Sequence, residues 1–324
     1  MWAGIDSIQV TPHARKVIVT VSTAWSFDRA SEKLKDICHI RVSDDTIERV
    51  CQTDGEAARK WLRDNNRMVE SFEKAEGEPE FYSDGLKINT RKGWREMRIN
   101  LLQKREAADP VPPEKWKDRV LPDATVRVAS CGIADCRMIG AMWQQWSRVM
   151  KLMDSKTLSI LADAAPWIWE QARLRLSPEA SWCVDVFHVS EDIHKCAKAM
   201  FGEGDAARKW AERELDKLIA IGGPQYLKHL DEIIAGTIGD KSIEALNGLR
   251  VYLHGNRDRM WYAQRLNEGK AIGSGAIEGA CKKIGSRLKL NSARWRPRRA
   301  ERFGALLCLE YTGQQKNYWA GIAA

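Results

Sequence analysis

A change in hydrophobic period near residue 80 is the feature that most limits the folds open to this chain. After this point Leu86 and Ile88 alternate with polar residues, and the same alternation runs over residues 97–101. Residues 91–93 have the composition of a turn and separate the two runs. Two alternating runs joined by a turn predict a β-hairpin with one buried face. The chain therefore contains a sheet as well as helices.

The remaining pattern predicts an α/β fold. A third strand is expected around Val126 and Val128, and an amphipathic helix is expected from Met138 to Met150. A short apolar strand, a helix and a continuous apolar run typical of a buried central strand then cover residues 158–161, 167–176 and 182–187. The predicted order is β-β-β-α-β-α-β.

The same patterns divide the chain into regions. The predicted regions are a helical N-terminal region (1–72), a polar linker (73–80), the first part of the core (81–190), a helical insertion (191–266), a segment that completes the core (267–312) and a tail (313–324). Within the first region, Ser26 and Ser43 can each cap a short amphipathic helix. This helix pair predicts either a DNA-reading helix-turn-helix or an ordinary helical hairpin that only packs.

Composition narrows the class of partner. The chain has 324 residues, and its 52 Lys+Arg against 44 Asp+Glu give a net charge of +8, which favours polyanionic partners. Its 8 cysteines include no CxxC pair, which predicts reduced thiols in a cytosolic protein. No apolar run approaches a membrane span, so we expect a soluble, cytoplasmic protein with no membrane partner.

Three acidic residues stand in settings that favour the display of a carboxylate. Asp84 lies in the first predicted strand, Asp163 follows the fourth, and Glu278 opens a helix after Gly273-Ser274-Gly275. Each has a structural alternative: a turn for Asp84, a helix cap for Asp163 and compensation of the helix dipole for Glu278. If the three converge, their hard oxygen ligands predict a site for two Mg²⁺ or Mn²⁺ ions and phosphoryl-transfer chemistry on nucleic acid.

A one-sided basic run follows Glu278. From residue 282 to 302 its only acid is Glu301, and such a run predicts phosphate contacts, with a solvated helix face as the alternative. Trp295, within the run, can stack on an unpaired base or anchor its loop. The residues expected to bind DNA are Lys282, Lys283, Arg287, Lys289, Arg294, Trp295, Arg296, Arg298 and Arg299, with Arg302 at the end of the run.

Several motifs, in this order, resemble bacterial insertion-sequence transposases of the Kra family, distant relatives of the Mutator-type DDE enzymes. They are Asp84-Gly85 before Gly93-Trp94-Arg95-Glu96, Asp163-Ala-Ala-Pro-Trp167, Asp185-Val-Phe-His188 and Gly273-Ser-Gly-Ala-Ile-Glu278. The resemblance runs from about residue 81 to 309. It is most specific at the motif around Glu278 and at the Asp185-x-x-His188 pattern, and least specific around Asp84.

The resemblance implies an RNase H-like, retroviral-integrase-like core whose metal-binding, catalytic acids are Asp84, Asp163 and Glu278. It further implies that a helical insertion interrupts the core before Glu278, and that Asp185 and His188 lie near the metal site. From chemistry alone, His188 is equally consistent with a hydrogen-bonded core residue.

The activity implied by the resemblance is DNA transposition: cleavage at transposon ends, followed by transfer of the freed 3′-hydroxyl into target DNA. Its partners would be the terminal repeats and the target, and its location the bacterial nucleoid; paired-end chemistry implies at least a homodimer on DNA. Two other classes remain, an RNase H-like nuclease or resolvase and an inactive, transposase-derived DNA-binding protein. A glycosidase is disfavoured because the basic run would have no role in it.

Overall fold

The structure, a computed structural model, describes residues 10–322. Residues 1–9 and 323–324, which belong to the predicted N-terminal region and tail, lie outside the described residues. The five strands are β1 (Glu78–Thr90), β2 (Gly93–Arg105), β3 (Val126–Gly132), β4 (Ser159–Ala162) and β5 (Ser181–Val184). They form one mixed sheet in the order β3-β2-β1-β4-β5. The predicted α/β class and element order are confirmed.

The β1–β2 hairpin follows from the alternation in the sequence. Leu86 pairs with Met97, and both are buried on one face of the hairpin. The turn ends at Gly93, whose φ of 87° lies in the left-handed region that glycine tolerates. β2 is antiparallel to both of its neighbours, whereas β1, β4 and β5 are mutually parallel. Because β1 runs from residue 78 to residue 90, Asp84 lies in the middle of this strand and not at the leading edge of the hairpin.

Helices cover both faces of the sheet. On one face, Trp143 of α5 (Cys136–Val149) donates its indole N–H to Asn100 of β2 at 2.9 Å. On the other face, Cys131 of β3 lies against α13 (Pro297–Thr312), where a Cβ on Gly304 would come 2.5 Å from the Cys131 sulfur. Helices α6 (Pro166–Arg175) and α12 (Gly275–Leu288) also lie against the sheet. The core is thus a three-layer arrangement.

The N-terminal helices pack directly on this core. They are α1 (Pro12–Ala24), α2 (Phe27–Cys38), α3 (Asp44–Asp64) and α4 (Asn66–Lys74). A Cβ on Gly55 of α3 would come 2.3 Å from the carbonyl oxygen of Arg302, which shows how closely α3 and α13 cross. β1 begins at Glu78, so only residues 75–77 of the predicted 73–80 linker are a connection. The linker boundary was wrong because Glu80 is a buried strand residue.

The predicted pair of helices is present as α2 and α3. The buried side of α3 includes Ile47, Val50 and Trp61, and its exposed first turn carries Asp44 and Asp45. Carboxylates at the start of the helix that would enter a DNA groove repel phosphates. These features favour the packing alternative over the helix-turn-helix.

The insertion is helical, as the sequence predicts, but it begins earlier than expected. Val186 and Phe187 belong to a helix and not to β5. The predicted breaks at Gly202–Gly204 and at Gly222 are confirmed. The helices are α7 (Val186–Phe201), α8 (Asp205–Ile221), α9 (Gly223–Gly236), α10 (Asp240–Asn256) and α11 (Tyr262–Asn267), with α14 (Gln315–Ile322) at the end of the described chain.

Between residues 10 and 322, none of the helices is both long enough and apolar enough to cross a membrane.

Candidate acidic site at the carboxyl edge of the sheet

Strand register aligns three aspartates at one edge of the sheet. Ser83 of β1 pairs with Ala162 of β4, and Ala162 pairs with Val184 of β5. The next residue on each of these parallel strands is Asp84, Asp163 or Asp185. Because neighbouring strands lie about 4.8 Å apart, the aspartates follow the strands at the same level of the carboxyl edge.

The three aspartates differ in their hydrogen bonds. One oxygen of Asp84 accepts from the Gly85 N–H at 2.6 Å, and one oxygen of Asp163 accepts from the Ala165 N–H at 2.9 Å. The second bond forms a turn before α6, whose N-cap is Ala165 with no side-chain cap, so Asp163 does not cap that helix. Asp185 is fully buried, and both of its oxygens are engaged, by the N–H of Phe187 at 2.7 Å and by the hydroxyl of Ser274.

The bond to Ser274 links the edge of the sheet to Glu278. The segment before α12 runs beside β5, where the N–H of Val186 donates to the carbonyl of Ile272 at 3.0 Å. Ser274 then bonds Asp185, and its carbonyl accepts from the N–H of Glu278 at 3.2 Å. Glu278 therefore enters the first turn of α12 from a segment fixed to β5, and its side chain is exposed.

The pKa values of Asp84 and Glu278 indicate that these residues and the other aspartates belong to one site. Burial raises the pKa of Asp84, and the negative charge of Asp163 raises it further, against the Gly85 N–H and the imidazole of His188. Burial also raises the pKa of Glu278, with further increases from Asp185 and Asp84 and an opposing effect of His188. These four carboxylates therefore share one electrostatic environment, in which negative charge is incompletely compensated.

The sequence indicated that His188 lies at the end of a strand, but the residue lies on a helix. Asp185 caps α7, which places His188 in the first turn of that helix. Its imidazole lowers the pKa of both Asp84 and Glu278, so it faces the acidic site. Asp185 and His188 therefore lie near Asp84 and Glu278, the metal site implied there stays a prediction, and the strand assigned to His188 was wrong.

Two residues near the acids were missed. Cys281, three residues after Glu278, lies beside Asp84 and lowers the pKa of that carboxyl. Tyr252 of α10 has its pKa raised by burial, with increases from Asp192, Asp163 and Asp185. Cys281 could have been found from its helical spacing to Glu278. Tyr252 could not, because only the tertiary fold returns the insertion to the sheet.

The two glycines before Glu278 have different surroundings. A Cβ on Gly273 would lie 2.8 Å from the ring of Phe187 and 3.5 Å from Asp185 Oδ1. A Cβ on Gly275 would meet nothing within 4 Å. Gly273 thus permits the close approach of another part of the chain, as the sequence indicated, whereas the space beside Gly275 is open.

The donor chemistry of the site suits a hard divalent cation, because carboxylate oxygens are the ligands that Mg²⁺ prefers. Burial raises the pKa values of Asp84 and Glu278, and neighbouring carboxylates raise them further. Within residues 10–322, however, no three His, Cys, Asp or Glu side chains are already gathered as a group that could hold a metal ion. The fit to a metal therefore rests on register, donor type and charge.

Two members of the basic run are buried, and the prediction that they contact DNA is wrong. Arg287 donates its Nε–H to the Ser22 carbonyl at 2.8 Å and lies 4.6 Å from the ring centroid of Phe303, and burial lowers its pKa to about 10. Trp295 donates its indole N–H to the Leu288 carbonyl at 2.9 Å and stacks on Phe303. Both side chains attach the N-terminal helices and the loop to the core.

The other basic residues divide by their partners. Arg299 pairs with Glu48 at 2.6 Å and Arg302 with Glu56 at 2.8 Å, so these two stabilise the contact between α13 and α3. The remaining members of the predicted set are exposed: Lys282, Lys283, Lys289, Arg294, Arg296 and Arg298. The six exposed cations follow Glu278 along α12 and the loop after it.

A cleft of about 680 Å³ adjoins the acids. It begins beside Ala164, the residue after Asp163, and is lined by Trp169 and Trp182 on one side and Tyr252 on the other. The guanidinium of Arg259 lies 4.7 Å from the ring centroid of Trp169. The insertion therefore forms one wall of a cleft that opens next to the acidic site.

No protein-family model matches this chain, and no curated protein is significantly similar to it. The resemblance drawn from its motifs remains an expectation.

Proposed function

We propose that this protein is a DDE-type DNA transposase, a metal-dependent polynucleotidyl transferase with an RNase H-like core. The observation that carries the proposal is the common register of Asp84 and Asp163 on adjacent parallel strands, with Glu278 in the same electrostatic environment. The strand order β3-β2-β1-β4-β5 and the helices on both faces support the RNase H-like core.

In this proposal Asp84, Asp163 and Glu278 hold two divalent cations, Mg²⁺ or Mn²⁺. When bound, such cations would activate an attacking oxygen and stabilise the leaving oxygen of a phosphodiester. Asp185 has both oxygens occupied, so it orients Ser274 and the start of α12. His188 moderates the negative charge of the acids.

The exposed cations supply the binding of DNA. Lys282, Lys283 and Lys289 lie on or just after α12, the helix that carries Glu278. Arg294, Arg296 and Arg298 follow in the loop and at the start of α13. Cations arranged beside carboxylates fit a substrate whose phosphates cross the acidic site, a requirement that a small neutral substrate would not impose.

The test is cleavage and joining of labelled DNA from the ends of the host element, in Mg²⁺ or Mn²⁺, by the wild type and by Glu278→Gln. We expect the substitution to lower both rates by roughly 10³-fold, since a bound metal contributes several kcal/mol to the transition state. Glu232→Gln, which changes an exposed carboxylate on α9, is the matched control and should leave both rates unchanged.

Different outcomes separate the three classes of protein. Cleavage with no joining of a precut end would favour the hydrolytic nuclease or resolvase. Specific binding of the ends with no metal-dependent chemistry would favour the inactive DNA-binding protein. Full activity in the Glu278→Gln variant would refute the assignment of the site.

A further inference from the structure

The tip of the β1–β2 hairpin extends beyond the neighbouring strand. The pairing of β1 with β4 ends at Ser83, whereas β1 continues to Thr90. At the tip, the loop around Trp295 takes the place of a neighbouring strand: the Arg91 N–H donates to the Trp295 carbonyl at 2.9 Å, and the Trp295 N–H donates to the Asn89 carbonyl at 3.1 Å. Trp295 therefore forms an isolated parallel bridge beside the hairpin, with Arg294 and Arg296 as its chain neighbours.

Strand alternation assigns the side chains of this ribbon to two faces. Thr90 and Trp295 are bridge partners and share the inner face, where Trp295 packs on Phe27 and Phe303. Arg294 and Arg296, on either side of Trp295, consequently lie on the outer face.

The same argument places residues of the hairpin on the outer face. Ile88 and Met97 are buried on the inner face. Lys87 therefore lies outside, and so does Trp94, which pairs with Asn89. Arg91 is exposed in the turn between the strands.

We call the residues Lys87, Arg91, Trp94, Arg294 and Arg296 the hairpin-tip surface. The indole of Trp94 is 66% exposed, and all four cations are exposed. The only acid between residues 85 and 96 is Glu96, which pairs with Arg98 at 3.3 Å. None of the four cations forms an ion pair with another residue between 10 and 322. The surface is thus strongly positive around one exposed aromatic ring.

We infer that the hairpin-tip surface binds a single strand of DNA, with Trp94 stacked on an unpaired base and the four cations on neighbouring phosphates. The inference rests on the proposed function and extends it, because it names a feature of the substrate, an unpaired base, that the acidic site does not bind. An aromatic ring on the open face of a sheet, surrounded by cations, matches the way proteins stack unpaired bases. A paired base inside a duplex would not present its face to such a ring.

The position of the surface relative to the acids sets where that base lies. Trp94 pairs with Asn89, five residues beyond Asp84 on β1. At about 3.3 Å per residue the separation along the strand is roughly 16 Å, or about five base pairs of B-form DNA. Asp84 alternates in step with Leu86 and Ile88 and so lies on the inner face, opposite Trp94, which makes this separation a minimum. The unpaired base is therefore expected at least about five nucleotides from the scissile phosphate.

The test compares binding of two labelled DNA probes by full-length protein in which Glu278→Gln prevents cleavage. One probe is a blunt duplex of the element end, and the other carries unpaired nucleotides about five positions from the cut. We expect the further change Trp94→Ala to weaken binding of the probe with unpaired bases by roughly 10-fold and of the blunt probe by less than about 3-fold, since stacking contributes on the order of 1–3 kcal/mol per base.

A fluorescent base analogue and the salt dependence of binding provide independent readouts. 2-Aminopurine at the unpaired position should be quenched by the parent protein and not by the Trp94→Ala variant. Arg294→Ala with Arg296→Ala should reduce the slope of log K against log[salt] by roughly 0.7 for each phosphate of the single strand that these arginines neutralise.

Matched variants control for general effects. Trp25→Ala removes another exposed indole, and Lys209→Ala with Lys217→Ala removes two exposed cations from α8. Both controls should leave affinity, quenching and salt slope unchanged.

The outcomes separate this inference from the proposed function. If wild-type protein cleaves the DNA but Trp94→Ala binds both probes normally, the inference is overturned while the proposed function stands. Equal weakening on both probes would also overturn it, because the surface would then bind duplex phosphates without stacking. Failure of the wild type to bind or cleave either probe would count against the proposed function itself.

Discussion

Glu80 and Asp84 lie on the same strand and on the same face of β1, four residues apart, yet their surroundings are opposite in character. Glu80 is buried and accepts hydrogen bonds from the Tyr82 hydroxyl at 2.9 Å and the Gln103 amide at 2.7 Å. It also pairs with Arg105 at 3.2 Å. Asp84 accepts one backbone bond from Gly85 and is influenced by the carboxylate of Asp163.

The difference separates an acid that serves the fold from one that we propose serves function. A buried carboxylate that serves the fold is surrounded by donors and a cation, because burial of charge without partners is costly. A carboxylate left among other carboxylates weakens the fold, and such an arrangement is characteristic of sites where a cation or a proton must bind. Neighbours in space, and not the local sequence, distinguish the two acids.

The largest effect expected from this comparison concerns catalysis. Asp84→Asn removes a proposed metal ligand and should lower the rate of Mg²⁺-dependent DNA cleavage by roughly 10³-fold. Cleavage of a labelled element end, followed at saturating Mg²⁺, measures the effect. Glu80→Gln is the matched change on the same face of the same strand, and its folded protein should cleave at nearly the wild-type rate. Equal losses of activity in the two variants would remove the distinction between the two acids.

The free energy of unfolding should rank the two variants in the opposite order, with the larger loss in Glu80→Gln. Glu80→Gln leaves the buried guanidinium of Arg105 without its charged partner and should lower the free energy of unfolding by about 2–3 kcal/mol. Urea unfolding of the two variants, compared with wild type at neutral pH, provides the measurement. Asp84→Asn should cause no comparable loss. A Glu80→Gln variant as stable as wild type would mean that Arg105 is solvated independently of Glu80.

Much of the fold is accessible from the sequence because its signals are local. Alternation from Leu86 to Leu101 determines the hairpin, and the helix breaks at Gly202 and Gly222 require only glycine chemistry. A short apolar run before Asp163 predicts its place at a strand end, and the register then aligns it with Asp84.

The errors arise where tertiary contacts decide the outcome. The charge of Arg287 dominates the local pattern and predicts a DNA contact, but its spacing of three from buried Ile284 places it on the inner side of α12. Trp295 faces Phe303 because its loop pairs with the tip of β1, which local sequence does not reveal. The interruption of β5 at Asp185 is hidden because an apolar run continues into α7.

A smaller effect is expected where α12 begins. Gly273→Ala would bring a methyl group 2.8 Å from the Phe187 ring, so we expect a loss of about 1–3 kcal/mol in the free energy of unfolding. The strain would also disturb the bond between Ser274 and Asp185, so activity should fall as well. Gly275→Ala, in open space two residues later, should change stability by less than about 0.5 kcal/mol. Thermal unfolding and DNA cleavage by the two variants, measured side by side, decide whether close packing at Gly273 positions Glu278.

The smallest effect is the dependence of stability on pH. The pKa of Asp84 is raised above its ordinary value of 3.8, chiefly by burial and also by Asp163. Below pH 3.8 the carboxyl is protonated in the folded and unfolded chains alike, so it does not alter their balance. As the pH rises from 3.8 to the higher pKa that Asp84 has in the folded chain, the unfolded chain loses the proton first. The folded chain then binds more protons, and its stability falls. At pH 7 the ionised Asp84 therefore destabilises the metal-free protein.

Asp84→Asn removes this penalty and keeps an oxygen that can accept from the Gly85 N–H. Without divalent metal, the variant should unfold at a higher temperature than wild type at pH 7, and the difference should shrink as the pH approaches 4. Added Mg²⁺ should stabilise wild type and not the variant, because only a ligand that binds the folded state raises stability. If Asp84→Asn were less stable at pH 7 without metal, Asp84 would be a compensated structural acid like Glu80, and the distinction between the two acids of β1 would fail.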